Sequence, residues 1–254
     1  MITAYHRPPT MQEALGLIAR PTPLTLPLGG GTLLSHGGGE AVEVVDLQAL
    51  GLDQITEKGN SLEVGGTATL QGLFEHTSSN TAMRKAIKLE APLNLRNAAT
   101  VAGTIVSCEG RSTFVTALMA LDAKLSMFGV RGGAATDETS LGIGDFLPLR
   151  PRGLITKITL PVQAKLAFEY VARTPADKPI VCVALAQWPS GRTRVAVGGF
   201  GAAPRLAMDG TEAEGIETAA QNACHDAKDE WGSAEYRMDV AATLARRCLE
   251  RIAG

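Results

Sequence analysis

Gly29, Gly30 and Gly31, followed at once by Thr32, are the residues whose types and spacing best suit chemistry, and that chemistry is the holding of an anion. Glycine lets backbone amides approach a ligand where a Cβ would clash. Successive free N–H groups in such a turn form a concavity suited to a pyrophosphate. Thr32 is positioned to cap a short helix, whose N-terminus would add its dipole to the same site. Because a Cβ at Gly30 would occupy the nest, Gly30→Val is expected to abolish ligand retention and leave the fold largely intact. An isolated glycine run also reads as a bare hairpin, and on these residues alone both readings stand.

Bond-making constellations are weaker. His6, His36, His76 and His225 are dispersed, with no His-Glu-x-x-His and no Gly-x-Ser-x-Gly, and only His36 abuts the glycine turn. Cys108 and Glu109 follow a loop of small residues, where a reactive thiol or an incidental buried cysteine are the two options. Asp46 lies 17 residues after Gly29, which invites a dinucleotide test. That test fails, because the third glycine of Gly-x-Gly-x-x-Gly would fall on Leu34. Gly-x-x-x-x-Gly-Lys is absent too. What remains is a binding site. A second run of small residues, 97–106, contains Ala99, Thr100, Val101, Ala102, Gly103 and Thr104. With Leu28 to Leu33 it is expected to form opposite walls of one extended cleft.

The elements that must position these residues follow from periodicity. Thr10 precedes a helix that buries Met11, Ala14, Leu15 and Ile18 and stops before Pro21. Residues 24–28 and 41–46 read as strands on either side of the glycines. A strand is expected over 61–67, running into Gly65 and Gly66, and helices over 71–76 and 81–89. The stretch 97–106 ends in a strand-like Thr-Ile-Val. Ser112 is an N-cap candidate for a helix over 113–122. Strands over 124–128 and 153–160 complete residues 52–161 as a second α+β unit. From residue 167 three strands, 167–172, 180–187 and 192–199, read as an antiparallel meander. Two helices finish the chain, 211–224 and 233–252, the second with Tyr236, Val240, Leu244, Cys248 and Ile252 at every fourth position.

Composition narrows the class. The 254 residues are 45% hydrophobic, enough for a sizeable core, and the net charge of −2 arises from 24 basic and 26 acidic side chains without a long run of either sign. That argues against a nucleic-acid groove or a membrane patch. Cys108, Cys182, Cys224 and Cys248 are scattered without Cys-x-x-Cys, so neither a zinc site nor an iron–sulfur cluster is supported, and reduced cytoplasmic thiols are expected. No apolar run approaches the length of a bilayer span, and residues 1–9 lack the pattern of a signal peptide.

Taken in order, these segments resemble the FAD-binding subunit of molybdenum hydroxylases, the family of carbon monoxide dehydrogenase medium subunits and the flavin domain of xanthine dehydrogenase. The family's Ala-Gly-Gly-x-Ser/Thr is matched by Leu28-Gly29-Gly30-Gly31-Thr32, with Leu33 and Leu34 following. Its Thr-Ile/Val-Gly-Gly-Asn/Ser is matched by Thr100-Val101-Ala102-Gly103-Thr104, preceded by Arg96-Asn97. Ala117-Leu118-Met119-Ala120-Leu121-Asp122-Ala123 is similar to the helix that follows. Asp145-Phe146, Leu154-Ile155 and Leu160-Pro161 look like the end of the flavin domain, and residues 198–204, Tyr236-Arg237 and the last helix like the C-terminal domain.

The resemblance implies an α+β fold of the vanillyl-alcohol-oxidase type. A two-subdomain FAD-binding domain, 1–161 with subdomains of about 1–50 and 52–161, precedes a C-terminal domain, 162–254, of a three-stranded antiparallel sheet with helices. It implies that Gly29, Gly30, Gly31 and Thr32 hold the FAD pyrophosphate, that 99–104 line the same cofactor, and that Ile155 lies beside the flavin. A molybdopterin-binding large subunit would oxidise substrate, and a small subunit with [2Fe-2S] clusters would pass electrons to FAD. The sequence departs from the family: Ala102 stands for a glycine, Thr104 for Asn or Ser, Cys108, Glu109, Gly110 and Arg111 for acidic and proline residues, and Thr113 for the Asp that follows them, begins a helix and binds the cofactor's polar chain. A carboxylate acceptor lost there removes a charge-assisted hydrogen bond of roughly 1.5–3 kcal/mol, unless the Thr113 hydroxyl accepts in its place. The alternative is a flavin-free structural or assembly subunit of the same fold. A stand-alone flavin oxidoreductase lacks support, since no general acid or base is placed beside the cleft.

Overall fold

The computed structural model describes residues 1–34 and 41–253. The chain divides into two units. The first takes in residues 1–73, 93–106 and 124–159; the second takes in 74–92, 107–123 and 160–254.

The first unit is built on two sheets. Strand β1 (Ile2–His6), helix α1 (Met11–Ala19), β2 (Thr25–Leu28) and β3 (Val42–Asp46) make a small parallel sheet of order β1-β3-β2. Thr10 caps α1, its hydroxyl accepting from the Glu13 amide at 3.3 Å. The expected face, Ala14, Leu15 and Ile18, packs with Val45, Leu47 and Leu154. β1 was not legible from the sequence: five residues, mostly exposed, carry no clean alternation, and their strand character comes from pairing with β3.

β4 (Ile55–Lys58), β5 (Ser61–Gly65), β6 (Lys124–Arg131), β7 (Ala134–Gly142) and β8 (Gly153–Pro161) form the second sheet, of order β4-β5-β8-β6-β7. β7 is polar and exposed along most of its length, so hydrophobic patterning does not reveal it. Its signal is the turn: Gly132 and Gly133, both at positive φ, join Arg131 to its partner Ala134 in the two-residue hairpin that glycine pairs favour.

Helices α4 (Leu93–Arg96), α5 (Val101–Ser107) and α7 (Ile143–Leu149) also lie in this unit, and α5 corrects an expectation. Thr104, Ile105 and Val106 are helical, although their β-branching suggested a strand. Thr100 acts as the cap, its Oγ1 accepting from the Gly103 amide at 3.1 Å, and the Thr104 hydroxyl donates back to the Thr100 carbonyl at 2.9 Å. Burial of Ile105 on one side, with Val106 left half-exposed, is a helical pattern that outweighs the modest β preference.

In the second unit β9 (Lys165–Val171), β10 (Val181–Gln187), β11 (Thr193–Gly198) and β12 (Arg205–Gly210) form one antiparallel sheet of order β12-β11-β10-β9. The expected three-stranded meander is therefore four-stranded. β12 escaped notice because its burial alternates weakly and a bulge shifts its register on β11. β10 is buried on both faces, between α9 (Ala234–Ala253) and α6 (Thr113–Ala120). All eight residues of α6 are buried. Along α9 the every-fourth-residue stripe holds at Leu244, Cys248 and Ile252 but passes to Arg237 and Ala241 near the start. A spacing of four overshoots the 3.6-residue turn and rotates off the core face. Two further helices, α3 (Thr81–Glu90) and α8 (Ile216–Asn222), pack in this unit, the latter shorter than the expected 211–224. α2 (Leu70–Glu75) spans the boundary between the units.

Candidate cofactor-binding site

Both runs of small residues belong to the first unit, and they touch. A Cβ built on Gly29 would stand 2.8 Å from Thr100 Oγ1, and one on Gly30 would stand 2.5 Å from the Ala98 carbonyl carbon and closer still to its oxygen. The two stretches expected as opposite walls of a cleft are thus packed edge to edge. Gly30 is required by its neighbour: the space a side chain would need is filled by the backbone of Ala98. The expectation that Gly30→Val spares the fold is corrected accordingly. Gly31 is the member of the run held at positive φ, +68°, where glycine is favoured on backbone grounds.

Among the described residues no acceptor takes the amides of Gly29 and Gly30. They follow β2 directly, where Leu28 ends its register with Asp46 and accepts from the Leu47 amide. This is the carboxyl edge of a parallel sheet, the usual place for ligands in open α/β units. The start of α5 is different. Val101 donates to the Ala68 carbonyl at 2.8 Å, Ala102 to Gly66 at 3.2 Å, Gly103 to Thr100 Oγ1 and Thr104 to the Thr100 carbonyl at 2.9 Å. Its first-turn amides are all engaged, so residues 99–104 offer surface rather than backbone donors. Thr100 and Val101 are buried, whereas Ala102, Gly103 and Thr104 face outward.

Gly66 ties the rest together, although sequence reasoning placed it within the strand expected over 61–67 and gave it no role in the site. Its amide donates to the Thr156 carbonyl at 2.8 Å, its carbonyl accepts from Ala102, and a Cβ there would collide with the Ile155 carbonyl. The structure thereby joins Gly29, Gly30, Thr100, Ala102, Gly103 and Ile155 in one corner of the first unit. A usable signal was present: Gly65-Gly66-Thr67 repeats the Gly-Gly-Thr wording of the first turn. Ile155 itself is buried on β8, opposite Met127. Leu33 is 59% exposed, and Thr32 is half-buried. The helix expected after Thr32, and His36 with it, fall outside the described residues.

Thr113 belongs to the second unit. It is 1% exposed there, and its hydroxyl donates to the Ala86 carbonyl at 2.7 Å and to Glu90 Oε2 at 3.2 Å. The hydroxyl is thus buried and its proton is given to partners within the protein.

The remaining chemical candidates are engaged structurally. Asp46, 2% exposed, accepts from the Gln48 amide at 2.9 Å and from the Tyr5 hydroxyl. The hydrogen bond to Asp46 pushes the Tyr5 phenol above its ordinary value. His6 pairs with Glu43 at 2.7 Å, His76 accepts from the Ser78 amide and His225 contacts the Asn222 carbonyl. His6, with Arg20, holds the Glu43 carboxyl below the usual range. Cys108 is buried, as are the other three thiols, and burial pushes Cys182, Cys224 and Cys248 up to about 12. With values that high, these three are not nucleophiles at neutral pH.

A glycine turn at the carboxyl end of a parallel sheet, with two amides that no described residue accepts from and small residues beside it, suits an anionic ligand. Residues 1–163 match the family described as FAD binding domain in molybdopterin dehydrogenase. The chain belongs to this family of FAD-binding medium subunits, and FAD is its cofactor. Over 98% of both chains it is 23% identical to the glyceraldehyde dehydrogenase medium chain of Sulfolobus acidocaldarius. It is 24% identical to the carbon monoxide dehydrogenase medium chain of Afipia carboxidovorans, over 97% of this chain and 95% of that one. Among solved structures, reconstituted CO dehydrogenase from Oligotropha carboxidovorans superposes with a TM-score of 0.80 at 22% identity, covering 99% of this chain and 97% of that one. Quinoline 2-oxidoreductase from Pseudomonas putida 86 gives 0.76 at 19%, covering 99% and 96%. The fold is thus shared with these solved chains. Among the described residues no helix is long and apolar enough to cross a membrane.

The residues fit the cofactor at one end. Among the described residues the amides of Gly29 and Gly30 have no acceptor, which suits a pyrophosphate. At Thr113 the fit fails, because its hydroxyl is buried and bonded within the protein.

Proposed function

We propose that this chain is the electron-transfer subunit of a molybdopterin-dependent dehydrogenase. It receives electrons from [2Fe-2S] clusters of a small subunit and passes them through FAD to an external acceptor, while a molybdopterin-binding large subunit oxidises the substrate. The observation that carries the reading is the glycine turn within Leu28 to Leu33, whose Gly29 and Gly30 amides meet no acceptor among the described residues, beside the small-residue surface of Ala99 to Thr104. Bound FAD supplies the redox chemistry, since its ring takes up and releases electrons singly or in pairs. This chain's residues bind and orient: Gly29, Gly30, Gly31 and Thr32 hold the pyrophosphate, Ala102, Gly103 and Thr104 admit the cofactor closely because they lack bulk, and Ile155 adds an apolar neighbour. We place the FAD-binding domain at 1–161, subdivided near residue 50, and the C-terminal flavoprotein domain at 162–254. The assembly is assigned to the cytoplasm, where four reduced thiols are the norm.

Purified chain mixed with excess FAD and passed over a desalting column tests this directly. A flavin absorbance spectrum at close to one FAD per chain is the expected result. A colourless protein would overturn it in favour of a flavin-free structural subunit, and co-purification with a large and a small subunit would test the partner assignment that both readings share.

A further inference from the structure

Glu90 closes the last turn of α3 and reaches the first turn of α6. Its Oε2 accepts from the Ser112 hydroxyl at 2.8 Å, the Phe114 amide at 2.9 Å and the Thr113 hydroxyl at 3.2 Å. Ser112 in turn caps α6 by accepting from the Val115 amide at 3.2 Å. A helix N-terminus presents free N–H groups and a partial positive charge, and here a carboxyl from the protein itself already meets both.

We infer that the Glu90 carboxyl takes the place at the N-terminus of α6 that an external polar group would otherwise fill, so that FAD is held without any contribution from Thr113. This rests on the cofactor reading above. Thr113 is then explained as the residue Glu90 permits. A carboxylate at that position would lose the hydrogen bond to the Ala86 carbonyl and stand within about 3–4 Å of a second carboxyl, where only one of the two ionises easily. The chain carries an acid on α3 or an acid at the start of α6, and it has the first.

The groups facing Glu90 are Ser112, Thr113 and the Phe114 amide from α6, Lys178 from the loop before β10 and Cys182 on β10; Lys178 also pairs with Glu109. Burial raises the Glu90 carboxyl above its ordinary 4.5, against the pull of the Phe114 amide, Ser112, Lys178 and Thr113. The folded state therefore keeps that proton to higher pH than the unfolded chain. The associated stability is complete below about pH 4.5 and is lost as pH rises through the folded value.

Four variants, Thr113→Ala, Thr113→Asp, Glu90→Gln and the double Glu90→Gln/Thr113→Asp, test the inference in the full chain by thermal melting without FAD and by FAD titration. Thr113→Asp is expected to melt about 5 °C or more below wild type at pH 7. Acidification to pH 5 should shrink that deficit, because a shared proton relieves the two carboxyls, and so should the double substitution. Every folded variant is expected to bind FAD within about twofold of wild type. A tenfold loss of FAD affinity in Thr113→Ala at unchanged melting temperature would overturn the inference, as would Thr113→Asp that is as stable as wild type and binds FAD more tightly. If wild type binds no FAD, the cofactor reading fails, while the melting data still decide whether Glu90 and an acid at position 113 exclude one another.

Discussion

Gly30→Ala is the most discriminating single change, because it adds one methyl group at the point where the two small-residue stretches meet. The new Cβ would lie 2.5 Å from the Ala98 carbonyl carbon, against a comfortable separation of about 3.5–4.0 Å. The backbone near Ala98 must therefore move by about 1 Å or more. That backbone is not free to move: the neighbouring Ala99 carbonyl accepts from Leu70 at 2.9 Å, and Val101 donates to Ala68 at 2.8 Å. Losing both bonds at about 1 kcal/mol each, together with overpacking strain of about 1–3 kcal/mol, predicts destabilisation by about 3–5 kcal/mol. Gly16→Ala is the control. That glycine sits inside α1, a Cβ there meets nothing within 4 Å, and removing backbone freedom should stabilise by about 0.5–1 kcal/mol. Urea unfolding of the apo proteins measures both. A Gly30→Ala variant within 0.5 kcal/mol of wild type would refute the packing argument and leave anion binding as the one reason for a glycine there.

Other consequences concern the second unit. Arg237 is fully buried, and its guanidinium donates to the carbonyls of Ile180, Ala227 and Gly232 and to Asp229 at 2.6 Å. Arg237→Met takes the guanidinium donor from the buried Ile180 and Ala227 carbonyls and the ion pair from Asp229, which keeps only the Trp231 and Gly232 amides, and should cost about 3–5 kcal/mol by urea unfolding; a loss under 1 kcal/mol would show that the carbonyls find other donors. Asp209 lies between Arg192 and Arg194, and its hydrogen bond to Arg192 holds its carboxyl below the ordinary 3.8. The folded state thus gives up that proton more readily than the unfolded chain, so the stabilisation is complete above about pH 4 and fades as pH falls through the folded value. Asp209→Asn should flatten the melting temperature between pH 4 and pH 2, whereas a slope unchanged from wild type would assign acid sensitivity to other carboxyls.

Local devices were legible in the sequence. Thr10 and Ser112 are N-caps where Ser and Thr ahead of an apolar run announced them, and the Ala14, Leu15, Ile18 face is buried as helical spacing required. The glycine turn was visible as well, since three glycines between two strands have few other uses. These features depend on a few consecutive residues, and so does their signal.

Tertiary structure decided the rest. β1 and β12 are strands because partners pair with them, not because their own patterns alternate. Residues 104–106 are helical because Thr100 caps them and Ile105 finds a core, against the preference of β-branched side chains. Gly30 reads as an open nest in one dimension and as a backbone contact with Ala98, 68 residues on, in three. Thr113 reads as a substitute ligand until Glu90 and Ala86 are seen to hold its hydroxyl. Short-range sterics and hydrogen bonding determine which residues favour a turn, a cap or a buried face, and these the sequence carries by itself. Which neighbour fills the space beside a glycine, or engages a hydroxyl, depends on contacts between distant segments, and only the folded chain brings those together.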